Sequence, residues 1–345
     1  MLTKIKYIIV VAIFLFYSCN RQKYDFSSNE INISGTKVDI GVLLGMPTEL
    51  VYLDPLLLFQ DRYENTLVTA FDTKQEQFVR RFITQGQGPE EAIPPLSLFV
   101  STADKQVYAF QRSARYLNVY ELSDITDTDN ITNKRLFFED AGSIKKIKDG
   151  YIGVGFIEDG RFRLYDSEGN TVSSFGEYPF RGKEIAMNYI DRFILYQGHL
   201  AASADGNYFA IGTIYCDNLE FYRIKDGKAE LIKKYETYDA KAVMNGGFIQ
   251  IDKDCIMNYM DAYGGKYCYM LHNGSKYMEN NKMFSRACSR IIVFDWDGNY
   301  IKSYKTDVPI YSFCVDEENN IIYASARDDN DETGGGAGIL KFDMK

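Results

Sequence analysis

The sequence predicts an all-β fold, a six-bladed β-propeller with four antiparallel strands per blade. Three observations carry that prediction. The stretch from His199 to Tyr238 reads as four short strands joined by tight turns, and four strands in about 40 residues is the size of one propeller blade. The same pattern can be laid over most of the chain. A lone strand near the start, Ile33 to Gly41, matches a last unit that has only three strands.

The template unit is justified residue by residue. Leu200 to Ala204 forms a short strand, and Asp205-Gly206-Asn207 turns it, because glycine accepts a positive φ without a Cβ clash. Tyr208 to Tyr215 is rich in aromatic and β-branched residues, as strands are. Cys216-Asp217-Asn218 breaks it. Leu219, Phe221 and Ile224 mark a third strand, Asp226-Gly227 a second hairpin, and Leu231 to Tyr235 the outer strand. One such sheet cannot bury both its faces alone, so it needs neighbours.

In chain order, blade one runs from Glu49 to Thr84, blade two from Ser97 to Asp140 and blade three from Ser143 to Phe175. The template is blade four. Blade five runs from Gly247 to Lys305, with inner strand GFIQIDKDCIMNYM and a long polar, aromatic loop from Asp261 to Arg290. Blade six, Ile310 to Lys345, lacks one strand, which Ile33 to Gly41 supplies. Such a closure removes an open sheet edge. Six blades follow from the alignment of turns; five or seven are the neighbouring counts. Between blades three and four, Ile185, Tyr189 and Phe193, with Ala186, Ile190 and Ile194 beside them, have helical spacing, so Lys183 to Tyr196 is expected to be a short amphipathic helix packed on the rim.

The N-terminus carries an address rather than a fold. Lys4 and Lys6 precede an apolar run, Tyr7 to Tyr17, too short to span a bilayer as a mature helix. It ends in Ser18-Cys19, which resembles a bacterial lipobox, although Phe16 and Tyr17 depart from the strictest form; a plain secretory signal is the other reading. Residues 1–18 are therefore expected to be a signal peptide, Cys19 a lipidation site and 19–32 a flexible tether, with the propeller over 33–345. Asn20-Arg21-Gln22-Lys23 carries no acidic cluster, which leans towards an outer-membrane anchor facing the periplasm.

Composition bounds the partners. The chain has a net charge of -9, and loses Lys4 and Lys6 with the signal to reach -11. An acidic surface disfavours nucleic acid. The chain holds 27 Tyr and 23 Phe against one Trp, which suits strands and gives ample core. Five cysteines remain beside Cys19: Cys216, Cys255, Cys268, Cys288 and Cys314. They read as small buried apolar groups, with Cys268 and Cys288 the first pair to test as a disulfide.

After blade one, Gln85-Gly86-Gln87-Gly88-Pro89-Glu90-Glu91 resembles the glycine-rich signature of TolB-like six-bladed β-propeller lipoproteins of Gram-negative bacteria. The lipobox cysteine, the Asp-Gly hairpins and Tyr196-Gln197-Gly198 fit that group. The resemblance spans essentially the mature chain and implies the fold. It brings no catalytic set, since propellers host enzymes and scaffolds alike.

Candidate function falls on the loops between second and third strands. On these lie Arg62, Arg112, Arg115, Tyr215, Asp217 and Arg327, with His199 starting an inner strand. The arginines could grip a carboxylate or phosphate by forked hydrogen bonds; the plain alternative is solvated loop charge. His199 and His272 have no zinc-type companions. Asp329, Asp331, Thr333 and Gly334 imitate the start of a calcium loop, but Leu340 stands where a glutamate is needed. No cofactor is expected, calcium being the weak exception. The first reading is a lipid-anchored, non-catalytic module binding a protein or a small envelope ligand. The second is a metal-assisted hydrolase or lyase with its site at the channel mouth.

Overall fold

The computed structural model describes residues 24–127, 131–179, 187–279, 282–283, 285–327 and 337–344. Blade one comprises Thr48–Leu53, Leu56–Tyr63, Thr66–Asp72 and Gln77–Gln85, each antiparallel to the next. Blade two comprises Leu96–Ser101, Gln106–Gln111, Tyr116–Glu121 and Lys134–Phe137, with a one-and-a-half-turn helix, Leu122–Asp127, before its outer strand. Blade three is Ala141–Ile147, Gly150–Gly155, Phe162–Tyr165 and Thr171–Phe175. Blade four is Gly198–Ala202, Tyr208–Thr213, Asn218–Lys225 and Lys228–Glu236, as its turns predict.

Blade five differs from the sequence expectation. Its inner strand is Tyr259–Gly264 and its second is Cys268–His272, joined by a tight turn where a long loop from Asp261 was expected. The stretch expected to begin the inner strand instead folds as a separate hairpin, Ala242–Asn245 with Phe248–Ile251. Asn245-Gly246-Gly247-Phe248 is a strong local turn, with both glycines at positive φ, and it captured the hairpin before the blade began. The third strand is Cys288–Phe294.

The fourth strand of blade five is the first half of one long strand, Tyr300–Asp316. It pairs with Cys288–Phe294 through Lys305, then with Ile321–Arg327 from Ile310 onward. Pro309, which has no N–H to donate, stands at the crossover between the two sheets. The second half is the inner strand of blade six, followed by Ile321–Arg327 and Ala337–Asp343.

The N-terminal segment does more than the single closing strand expected of Ile33 to Gly41. Gly35–Val38 runs antiparallel beside the last strand, with Gly35 opposite Phe342 and Val38 opposite Ile339. Glu30–Ile33 lies parallel to Ser303–Thr306 on the edge of blade five. Tyr24 and Phe26, expected in a tether, pack on Tyr235, Phe294 and Tyr300. Tyr24 and Phe26 are therefore part of the packed chain, because their aromatic side chains find an apolar seam between blades four and five.

The core lies between blades. Phe162, Phe209 and Tyr222 interlock blades three and four, and Phe221, Tyr235 and Phe294 interlock four and five. Each such ring pair adds about 0.5–1.5 kcal/mol beyond its buried area. Gly212 allows a close approach: a Cβ there would fall 2.6 Å from the Tyr259 ring of the next blade. The five described cysteines are buried free thiols, so Cys268 and Cys288 form no disulfide.

The helix between blades three and four spans Tyr189–Leu195, capped by Asn188, whose side chain accepts from the Asp191 N–H at 2.9 Å. Phe193 packs on Phe156, whereas Ile190 and Ile194, expected in the apolar stripe, face solvent. The expected start of this helix, 183–186, lies outside the described residues.

Candidate axial binding site

The inner strands of the six blades stand side by side around one axis, and the inner strand of blade six lies beside that of blade one. Polar contacts pass from blade to blade along this ring. The Leu50 N–H donates to Ser312 Oγ at 3.2 Å, and the Phe313 N–H to Asp261 Oδ2 at 3.2 Å. The Leu96 N–H donates to Gln60 Oε1 at 2.8 Å.

The ring encloses a chamber of about 450 Å³, lined by residues of all six blades. That volume suits a small organic ligand. Its inner end is set by Glu49, Lys145, Asp261 and Ser312; its mouth by the turns that follow each inner strand. Eight carboxylates line it (Glu49, Asp54, Asp104, Asp205, Asp261, Asp316, Glu317 and Glu318), against Lys145, Lys146 and Lys148. Phe99, Tyr52 and Tyr263 give it aromatic walls.

Local backbone geometry explains how Glu49 reaches this layer. The strand bulges between Thr48 and Val51, and Glu49 sits at φ 52°. A left-handed conformation is costly for a residue with a side chain and persists where surrounding contacts fix it. Here Arg112 donates to Glu49 Oε1 at 2.6 Å and Ser97 Oγ donates to Oε2 at 3.1 Å.

Asp261 accepts from the N–H groups of Ala262 and Phe313. Burial lifts its pKa to about 6, with Glu49 adding to the rise and Ser312 and the two N–H donors opposing it. His199 Nδ1 is 4.0 Å from Asp261 Oδ1, too far for a hydrogen bond. Burial, then the charges of Arg112, Arg286 and Lys145, lower its pKa to about 3, so the imidazole is neutral at pH 7 and the contact is not an ion pair. Lys145 is half-buried on the chamber wall, its Nζ 5.4 Å from the Phe99 ring. Among the described residues it has no carboxylate within ion-pair distance and no hydrogen-bond acceptor. Desolvation lowers its pKa; Glu49 and Asp261 counter this and Arg112 reinforces it.

The residues expected at a mouth made of second-to-third-strand loops separate into two groups. Arg112 and His199 adjoin the inner layer through Glu49 and Asp261. The rest do not join it. Arg115 lies 3.7 Å from Asp140, and Arg62 is exposed. Tyr215 packs on Tyr277, and Asp217, its pKa raised by burial, donates its N–H to Tyr238 O. Arg327 is an exposed strand end in blade six. None of the seven lines the chamber. Glu49, Lys145, Asp261 and Ser312 escaped the sequence reading. One signal was legible: the pair Lys145-Lys146 between buried Ile144 and Ile147 puts charge in the middle of an inner strand.

Cys19 and the acidic loop 328–334 lie outside the described residues. Among the described residues, no group of three or more His, Cys, Asp or Glu is placed to hold a metal ion. The glycine-rich signature after blade one is a tied turn. The Gly88 N–H donates to Glu91 at 2.8 Å, and Arg135 donates to the carbonyls of Gly88 and Glu91.

The sequence model of the TolB-like 6-blade propeller-like family matches residues 25–318. The chain belongs to that family. Two solved structures share the fold of this TolB-like propeller. One is a Bacteroides fragilis protein named as exported, 14% identical, covering 91% of this chain and 95% of that one, with a TM-score of 0.55. The other is a member of the DUF4221 family from Bacteroides vulgatus, 13% identical, covering 91% and 96%, with a TM-score of 0.58. No curated protein matches this chain.

Proposed function

We propose that this TolB-like propeller is a non-catalytic binding module of the bacterial envelope, and that its ligand occupies the axial chamber. The observation that carries this reading is the chamber itself: about 450 Å³ lined by six blades, with a half-buried lysine that has no hydrogen-bond acceptor among the described residues. A polar group held in such a place costs stability unless something pairs with it. A small ligand is the natural partner.

Lipidation of Cys19 would hold the module at the outer membrane, facing the periplasm. Only four residues separate Cys19 from Tyr24, which packs on Tyr235. That stretch reaches at most about 17 Å. An anchored propeller would thus sit close to the bilayer rather than on a long leash.

Two experiments test this. Ala204, exposed on a chamber-lining turn, is replaced by Trp to fill the mouth while leaving the inner strands intact. Thermal-shift screening of small polar compounds should give hits on the unaltered protein that Ala204→Trp loses. Hits that bind both proteins equally would remove the chamber from the argument. Separately, Cys19→Ala should move the protein from the membrane fraction to the soluble fraction; retention in the membrane would rule out the anchor.

A further inference from the structure

The inner end and the mouth of the chamber differ in charge. At the inner end stands one ammonium, Lys145. The carboxylates nearest to it in the fold are already engaged: Glu49 by Arg112 and Ser97, and Asp261 by two backbone N–H groups. The three donors of Lys145 therefore point into a space without an acceptor among the described residues. At the mouth, Asp104, Asp205 and Glu318 stand on three different turns, against the single cation Lys148 on a fourth. Asp104 is used by Ser101, and Asp205 by Ser203 and Asn207, yet each carboxylate keeps lone pairs to offer.

Resting on the chamber reading, we infer that the ligand is a small dipolar molecule: a carboxylate that Lys145 receives, joined to a cationic group that the acidic mouth receives. The inner layer and the mouth are about three residues apart along the strand of blade three, from Lys145 to Lys148, or roughly 10 Å. A basic amino acid or a short basic peptide has its charges in that order and spacing. The acidic mouth, set in an acidic protein, draws the cationic end by long-range attraction and turns a simple anion away. Lys145 then selects among cations the one that also carries a carboxylate. The half-buried ammonium is partly shielded from water, which strengthens a charge-assisted hydrogen bond to an arriving carboxylate.

The test uses three probes of one shape on the full-length protein: L-arginine, L-argininamide, which lacks the carboxylate, and L-citrulline, which lacks the side-chain charge. Calorimetric titration should show L-arginine binding, with each of the other two weaker by about tenfold or more. Lys145→Met, checked for an unchanged melting curve, should bind L-arginine and L-argininamide alike. Raising salt should weaken L-arginine binding. If L-argininamide binds as well as L-arginine to the unaltered protein, the carboxylate role of Lys145 is wrong. If Lys145→Met keeps the preference, some other group reads the carboxylate and the inference fails. If none of the three probes binds, while other compounds still distinguish the unaltered protein from Ala204→Trp, the ligand class is wrong and the chamber reading survives. If L-arginine binds Ala204→Trp undiminished, it binds outside the chamber and the inference falls.

Discussion

Two cations on inward-facing surfaces of this propeller, one buried and one half-buried, are treated in opposite ways. Arg161 leaves the second-to-third-strand loop of blade three and ends in blade four, where its side chain is 2% exposed. It donates to Glu220 Oε2 at 2.7 Å and to Asn218 Oδ1 at 3.4 Å. Glu220 is further held by the Tyr222 hydroxyl at 2.7 Å and the Asn218 amide at 3.1 Å. Burial pushes the Glu220 pKa up, but Arg161, Tyr222 and Asn218 together bring it below the usual carboxylate value. Lys145 has none of this. Its charge is half-buried, lies above an aromatic ring and has no acceptor among the described residues. The contrast separates two uses of a cation: Arg161, paired with its counter-charge, staples two blades, whereas Lys145 faces the chamber with no described carboxylate within ion-pair distance, as the proposed ligand site requires.

The largest effect should come from breaking the staple. Arg161→Met strands Glu220 between blades with its charge uncompensated, and loss of one partner of a buried pair costs about 3–5 kcal/mol. The weak contact from Lys234 Nζ, 3.8 Å from Glu220, is too long to replace it. A urea denaturation series should show a much lower midpoint for Arg161→Met, and a smaller loss once Glu220→Gln is added. If the double variant is no better than the single one, the pair is not what holds the seam.

These two cations were not equally legible. The blades were readable because hairpins announce themselves locally: Asp205-Gly206 and Asp226-Gly227 turn where their backbones require, with both glycines at positive φ. Blade five was misplaced for the same reason, since Gly246-Gly247 is as good a turn as any in a blade. The chamber was not readable from turns. Its inner layer draws single residues from strands far apart in sequence, and which side of a strand edge meets the axis depends on bulges such as the one beside Glu49. The candidate arginines on the loops were drawn by their charge alone, and charge on a loop does not reveal whether a partner waits across the blade. Arg112 found Glu49, a residue 63 positions away.

A second test probes the inner layer through pH. The Asp261 pKa is about 6 in the folded protein, against 3.8 as the ordinary value. A raised pKa means that the protonated acid is the form folding favours. Its contribution is fully present below about pH 3.8 and is lost as pH rises through 6. Asp261→Asn keeps one acceptor oxygen, for either the Ala262 or the Phe313 N–H, and removes the titration; the lost bond costs the same at every pH, so the pH dependence of the difference is the readout. The unaltered protein should therefore fall relative to Asp261→Asn between about pH 4 and pH 7, by up to about 2–3 kcal/mol. A stability difference that stays flat over this range would show that Asp261 is not enclosed with Glu49 as described.

The smallest effect, and the sharpest discriminator, belongs to Lys145→Met. Desolvation lowers the Lys145 pKa below its ordinary 10.5, so at neutral pH the charged amine is a burden on the folded state. That burden shrinks as pH rises towards 10.5, where the unfolded chain also loses its proton. Methionine has similar reach without the charge. It gives up the attraction to the Phe99 ring, worth about 0.5–1 kcal/mol, and relieves the desolvation. The two changes oppose each other, so the variant should match the unaltered protein within about 1 kcal/mol at pH 7. A loss as large as that of Arg161→Met would mean that Lys145 has a structural partner, and the distinction between staple and receptor would collapse. Near-equality, set beside a large loss at Arg161, would mean that the fold tolerates this amine without depending on it, as a residue kept for a ligand requires.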